Sequence, residues 1–352
     1  MANTYLTRTQ GTGTSRQKWT LSMWIKRTGL NGNMGLMSTN NGWQDGSGMA
    51  IIFQPTEVIN IYNPIQGETG GAGYNQSTRV FRDTNAFYHF VFSADSTLTT
   101  QADRLKIYVN GEQLSYATSN LPGQNIFWND LNFSGQSLNI GSAATANNYF
   151  DGSMSHVHFC DGTALAPTVF GEYDANGVWK IIVDPTFTLG TNGFTILKDG
   201  ITITDQSSNS NNFTLGGGTL TKTEDNPSNV FATLNPLFPS GNATPFTYSF
   251  GNTKISETVG VWQTTTSTLG SSNGKYYAEF KCFGNVMFAG VVDLSVTTRG
   301  VSGYNAFSST QVTSYGYGYY NGDGTIRYEG GTELNPFGDS YTTNDIIGVA
   351  LD

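Results

Sequence analysis

Three side chains able to bind a transition metal, His156, His158 and Cys160, stand at i, i+2 and i+4. In a strand this spacing puts them on one face. Zinc accepts such ligands, but adjacent same-face residues of a single strand rarely converge on one ion without a fourth ligand from elsewhere. The preferred reading is a strand with Val157 and Phe159 inward and the histidines at a wet edge or subunit contact, so no metal ligand is assigned. His89 is the only other histidine, which leaves little material for a Ser-His-Asp or Cys-His arrangement. Glycan cleavage needs paired carboxylates, as in Glu-x-Asp-x-x-Glu. Glu172-Tyr173-Asp174 begins that pattern, yet Gly177 occupies the place of the second Glu. No catalytic residue is assigned, and the chain is read as not an enzyme.

Calcium at a loop rim is a further option, through scattered carboxylates and carbonyls. Asp45, Asp83, Asp95 and Asp151 would contribute, although their spacing matches no loop motif. Glycan binding instead asks for exposed aromatic faces beside amides and carboxylates, because a sugar has an apolar face and a hydroxylated rim. Trp43-Gln44-Asp45, Tyr74-Asn75 and Trp128-Asn129-Asp130 offer that combination in loop-like surroundings. Trp43, Asp45, Tyr74, Asn75, Trp128 and Asn129 are therefore the glycan-binding candidates. The competing reading has these rings capping the ends of a sandwich or meeting a neighbouring subunit.

The elements that must position these residues are strands. Glycine occurs 43 times, aromatics make up 13% and charged residues only 12%, a mixture suited to pleated surfaces and tight turns rather than helices. From Lys18 to Lys26, Trp19, Leu21, Met23 and Ile25 alternate with Thr20, Ser22, Trp24 and Lys26, the pattern of a half-buried strand. Tyr88, Phe90 and Phe92 repeat it, as do Leu105, Ile107 and Val109, which run into Asn110-Gly111. That dipeptide signals a type I′ hairpin, with the return strand near Glu112. Leu138–Gly141 and Met154–Phe159 add two more strands. The turn spacing favours antiparallel sandwiches.

The net charge is −9 with no basic run, so a phosphate backbone would be repelled and nucleic acid is not an expected partner. The two cysteines, Cys160 and Cys282, fall in different predicted domains and are expected to be buried free thiols. No apolar run approaches the ~18 residues of a membrane span, and Met1-Ala2-Asn3-Thr4 does not open a signal peptide. Assembly in a cytoplasm without membrane insertion is the expectation. The length predicts more than one domain: a β-sandwich over 1–180, an extended connector with little regular structure over 181–243, and a second sandwich over 244–352. The connector is rich in turn residues, as in Asp205–Phe213, Gly216–Gly218 and Asp225–Asn229. Phe194, Ile196 and Leu197 could add one short strand to it. Strands in the last part include Gly274–Phe280, Phe288–Val292, Tyr315–Tyr319 and Asp345–Asp352. Tyr315, Tyr317 and Tyr319, separated by glycines, would line one sheet face.

Two resemblances cover nearly the whole chain. Trp19–Lys26, Tyr88–Phe92 and Ile107–Gly111 resemble a concanavalin A-like (laminin-G-like) jelly roll. The run from Tyr149 to Trp179 and the connector motifs at Asp205–Asn209, Asp225–Asn229 and Ala232–Pro236 look like the version in virion proteins of tailed phages, especially marine ones (the cyanophage type). Residues from about 244 are similar to a SPRY domain through Gly274–Phe280, Gly290–Val292 and Ile346–Asp352. That family continues into further strands, so the chain is expected to be the front part of a longer protein. The resemblance implies an all-β structural and attachment component on the virion surface, such as a fibre, spike, baseplate or capsid-decoration subunit. It would contact other virion proteins and host-surface glycans as a homo-oligomer, a trimer by preference. The alternative is a free carbohydrate-binding module or glycan-cleaving enzyme.

Overall fold

The structure is a computed structural model. It describes residues 3–30, 32–42, 48–64, 72–145, 147–198, 200–238, 246–257, 262–284, 287–293, 316–328, 332–334 and 337–352. The protein is all-β, 43% strand and 2% helix. It divides into two compact units, Met1–Phe231 and Ala232–Asp352.

Two antiparallel sheets make the first unit. One has eight strands in the order 116–119, 72–80, 58–64, 50–53, 34–39, 137–140, 5–9 and 214–217; the other has six, in the order 194–196, 152–161, 18–27, 88–95, 105–109 and 112–113. Alternation sets the inner faces. Trp19, Leu21, Met23 and Ile25 meet Phe90, Phe92, Ile107, Val157 and Phe159 from the same sheet and Leu36, Ile51, Phe53, Ile61 and Ile140 from the other. The Asn110-Gly111 hairpin forms with φ values of 49° and 83°, pairing Val109 with Glu112, as a type I′ turn requires.

The Lys18–Arg27 strand departs from its sequence reading, because every residue after Lys18 is buried. Its second face is covered by the exit loop after the closing strand. There Trp24, Phe87 and Trp179 form a small separate core, and Trp179 donates from Nε1 to His89 Nδ1 at 2.9 Å. The indole packs on Gly111, where a Cβ would stand 2.6 Å from it.

Residues 181–231, read above as a connector, belong to this unit. Phe194–Ile196 pairs with the closing strand and Thr214–Gly217 with the first strand. The polar Asp205–Asn212 run is a knot of local bonds. Asp205 accepts the backbone N–H groups of Thr195, Ser207 and Asn211, while Asn209 donates to the carbonyls of Gly190 and Gly193. Side-chain-to-backbone bonds thus order a segment that has little apolar area to bury.

The paired strands 142–144 and 147–149 lie across the outer face of the larger sheet. Gly35 makes this approach close, since a Cβ there would collide with the Ala143 backbone. Gly35→Ala is expected to destabilise the first unit by about 2 kcal/mol, the cost of overpacking against backbone that cannot swing away. Thermal unfolding checks this.

In the second unit the described strands form two ribbons, 247–249 with 254–256 and 276–281 with 346–351, and a four-stranded sheet of 288–292, 316–320, 326–328 and 332–334. Tyr341 is buried and donates to the carbonyl of Tyr319 at 2.8 Å. Tyr317 stacks on Tyr328 and remains half exposed. Tyr315 lies outside the described residues. Cys160 and Cys282 are free and buried, and burial pushes the Cys160 thiol up to about 11. Among the described residues no helix is long and apolar enough to cross a membrane.

Candidate functional site

The sheet registers bring the loops at 10–17 and 120–136 to one end of the first sandwich, together with the strand ends at Thr39, Ala50, Pro64 and Ala72. Asn75, Trp128 and Asn129 of the glycan-binding candidates lie at this end. Trp43 and Asp45 lie outside the described residues, and Tyr74 is described only as part of the 72–80 strand, opposite Tyr62.

The other three are interior groups, which corrects their reading as an exposed platform. Trp128 is 1% exposed and sits edge-on to Trp19, with ring centroids 5.3 Å apart. Its size and apolarity fill the end of the core, an outcome that outweighs display in a loop. Asn129 is buried, its backbone N–H donating to Asn63 Oδ1 at 2.9 Å and its carbonyl accepting from Thr39 Oγ1 at 2.9 Å. Asn75 is buried too, and donates to the carbonyl of Asn120. These amides close the polar end of the core.

Among the described residues, the exposed aromatics of this end are Phe127 and Phe133, 56% and 43% accessible. They flank Arg16, whose guanidinium carbon is 5.0 Å from the Phe127 centroid and 4.3 Å from that of Phe133. Cation–π contact of this kind holds the rings upright. The Arg16 carbonyl accepts the Trp128 N–H at 3.0 Å, so the buried Trp128 anchors the exposed cluster. Beside it, Asn40 donates to Asp130 Oδ2 at 2.6 Å and to Gln136 Oε1, and Gln10 donates to the carbonyl of Asp130 at 2.8 Å. Asn40, Asp130 and Asn132 hold positive φ, conformations that Asn and Asp tolerate. Apolar ring faces next to a cation, a carboxylate and amides fit the two-sided chemistry of a sugar. The sequence signal for Phe127 was its place beside Trp128. In an irregular loop no period tells which of two adjacent rings turns inward.

The same end is pinned by Asp161. Its carboxylate accepts the N–H groups of Thr14 (2.6 Å), Ser15 (3.0 Å) and Asn192 (3.0 Å) and Nδ2 of Asn132 (2.7 Å). One buried anion thus ties the 10–17 loop, the 120–136 loop and the exit loop together.

The His156–Cys160 strand has Val157 and Phe159 inward, fully buried. The outward residues are not at a wet edge, which corrects that expectation. His156, His158 and Cys160 are buried under the exit loop, with His158 stacked on Phe170 at 5.7 Å. A register shift between Ser155 and His158, with His156 at φ 48°, breaks the single-face row. Each group has its own partner: Ser155 for His156, Thr195 for His158, and the Thr188 carbonyl for Cys160. No group of three metal-ligating side chains occurs among the described residues. Burial pushes both His158 and His89 down to about 3, so they are neutral structural groups.

Among the described residues the calcium candidates do not converge. Asp95 accepts from Thr97 and pairs with Lys18 at 3.1 Å, whereas Asp83 caps a turn by accepting the Asn85 N–H and Asp151 accepts from the hydroxyl of the distant Thr28. Asp45 lies outside the described residues. Glu172 sits on a short hairpin, Gly171–Tyr173 against Trp179–Ile181. Asp174 closes its turn by accepting the N–H groups of Asn176 and Val178, which hold its carboxyl below the usual range.

Two layered antiparallel sheets with this order make the first unit a concanavalin A-like sandwich, of laminin-G-like type. Residues 1–169 match the family described as the Concanavalin A-like lectin/glucanases superfamily. Solved structures similar to the chain include a Bacteroides ovatus protein described provisionally as carbohydrate binding, at 18% identity and TM-score 0.44, covering 64% of this chain and 59% of that one. The chain therefore spans less than two thirds of that protein. A heptameric SAP-like pentraxin from Limulus polyphemus matches at 15% identity and TM-score 0.34, covering 47% of this chain and 72% of its own. The CBM40 of the Ruminococcus gnavus IT-sialidase matches at 17% identity and TM-score 0.32, covering 46% and 91%. The search of curated proteins gives no match.

Proposed function

We propose that this chain is a structural and attachment component of a tailed-phage virion, and that the loop end of its first sandwich binds host-surface glycans. The observation that carries the glycan reading is the Phe127–Arg16–Phe133 cluster beside Asp130, Asn40 and Gln136. It offers apolar faces and polar rims on one rigid end. The family of residues 1–169 includes lectins by its description, which supports the same reading.

The virion role rests on the resemblance of the Asp205–Asn209 and Asp225–Asn229 motifs to phage proteins. In this role the connector serves as a lash on the sandwich, and the second unit is a SPRY-like contact domain built on the 276–281 and 346–351 ribbon. The protein works without cleaving its ligand, as a homo-oligomer, a trimer by preference, bound to other virion proteins at the particle surface.

Mass spectrometry of purified particles tests the virion role: the chain is expected among the structural proteins, and its absence overturns that role. A reducing-sugar assay is expected to show no turnover. Turnover that disappears in Glu172→Gln would favour a glycan-cleaving enzyme instead.

A further inference from the structure

Lys26 ends the alternating row Thr20, Ser22, Trp24, Lys26 on the face turned away from the main core. It is completely buried, and so, at 2% exposure, is Asp225 of the lash 199 residues later. Nζ stands 2.8 Å from Asp225 Oδ2. The Phe87 ring lies 5.8 Å from Nζ, and the Phe231 backbone N–H donates to Asp225 Oδ1 at 2.9 Å. A dry ion pair of this kind recovers little of its desolvation cost. An amide at the same place would carry no charge at all.

We propose that Lys26 and Asp225 condense into an intramolecular isopeptide bond. Within the hydrogen bond a proton passes from the Lys26 ammonium to Asp225 Oδ2, which leaves an amine and a carboxylic acid. The amine lone pair attacks Asp225 Cγ. The developing negative charge falls on Oδ1, where the Phe231 N–H already points. A second proton then moves from Nζ to the Oδ2 hydroxyl, the Cγ–Oδ2 bond breaks and water leaves. The Nζ–Cγ amide remains, with no oxidant or cofactor consumed. Burial holds amine and carboxyl together at high effective concentration and keeps out the bulk water that the reverse hydrolysis needs, while the single released water leaves as the lash breathes. The product closes a loop from Lys26 to Asp225 and fastens the lash covalently to the first sandwich, independently of any glycan contact.

The test is mass spectrometry on the denatured wild-type chain, which needs no variant to fold. The expected result is a chain lighter than its sequence by one water, and a branched tryptic peptide joining residues 19–27 to residues 223–254. Lys26→Arg and Asp225→Ala are expected to have their full sequence masses, and Asp225→Asn to be lighter by one ammonia. A wild-type chain at its full sequence mass, cleaved by trypsin after Lys26, overturns the proposal and leaves a buried ion pair.

Discussion

Asp161→Ala is expected to be among the most damaging single substitutions in the first unit, lowering its stability by about 4 kcal/mol. Four N–H donors converge on this carboxylate, and Asp161 is only 2% exposed. Removing the acceptor strands buried donors, each worth about 1–3 kcal/mol when left unsatisfied. Water entering the vacated space would recover part of that. Asp161→Asn should be intermediate, because it keeps one acceptor oxygen and sets an N–H₂ against the remaining donors. Urea unfolding monitored by tryptophan fluorescence measures both. Limited proteolysis should in addition find the 10–17 and 120–136 loops newly cleavable, since Asp161 joins them. A loss below about 1 kcal/mol, the size of an ordinary surface change, would mean that this pin is dispensable.

Acid should unfold the first unit well before its carboxylates are fully protonated. His89 and His158 fall to about 3 in the folded chain, in both cases chiefly through burial, against an unfolded value near 6.5. A depressed histidine is neutral in both states above about pH 6.5, so its contribution is fully present there. As the pH drops from about 6.5 towards 3, only the unfolded chain takes up the protons, and stability is lost. At about 1.4 kcal/mol per pH unit per group, the pair accounts for about 5 kcal/mol by pH 4.5. Equilibrium unfolding at a series of pH values is expected to show this slope. His158→Gln should roughly halve it. His89→Gln should also release Trp179, which the His89 ring holds by stacking and by the Nδ1 acceptor. A flat profile between pH 6.5 and 4.5 would contradict the neutral, buried assignment.

Strand identity was readable wherever one face alternates. Trp19, Leu21, Met23 and Ile25 point inward as their spacing requires, and Asn110-Gly111 turns where its backbone preferences direct. The second face of that strand was not readable, because its cover comes from Phe87 and from Trp179, far along the chain. Period-two patterning reports a strand's own two faces but not what later packs on the polar one. The same limit explains the histidines. Their partners Thr195 and Phe170 come from the exit segment, and a register shift moved His156 off the row. At the loop end the sequence offered Trp128 as an exposed ring, and the structure buries it. Trp128 and Phe127 are equally aromatic and adjacent, and only the edge-on contact with Trp19 decides that the indole goes in. Arg16, Asn40 and Gln136 were invisible beforehand, since they reach the cluster through separate loops.

Glycan binding from the Phe127–Arg16–Phe133 end is tested most directly by a glycan array with the full chain, run beside a Phe127→Ala/Phe133→Ala variant. Both rings are exposed, so their removal should leave the melting temperature nearly unchanged. The expected result is selective binding by the wild-type chain that drops at least about tenfold in the variant, as loss of stacking faces worth about 1.4 kcal/mol or more requires. No binding by the wild-type chain, or equal binding by a folded variant, would contradict the site assigned here.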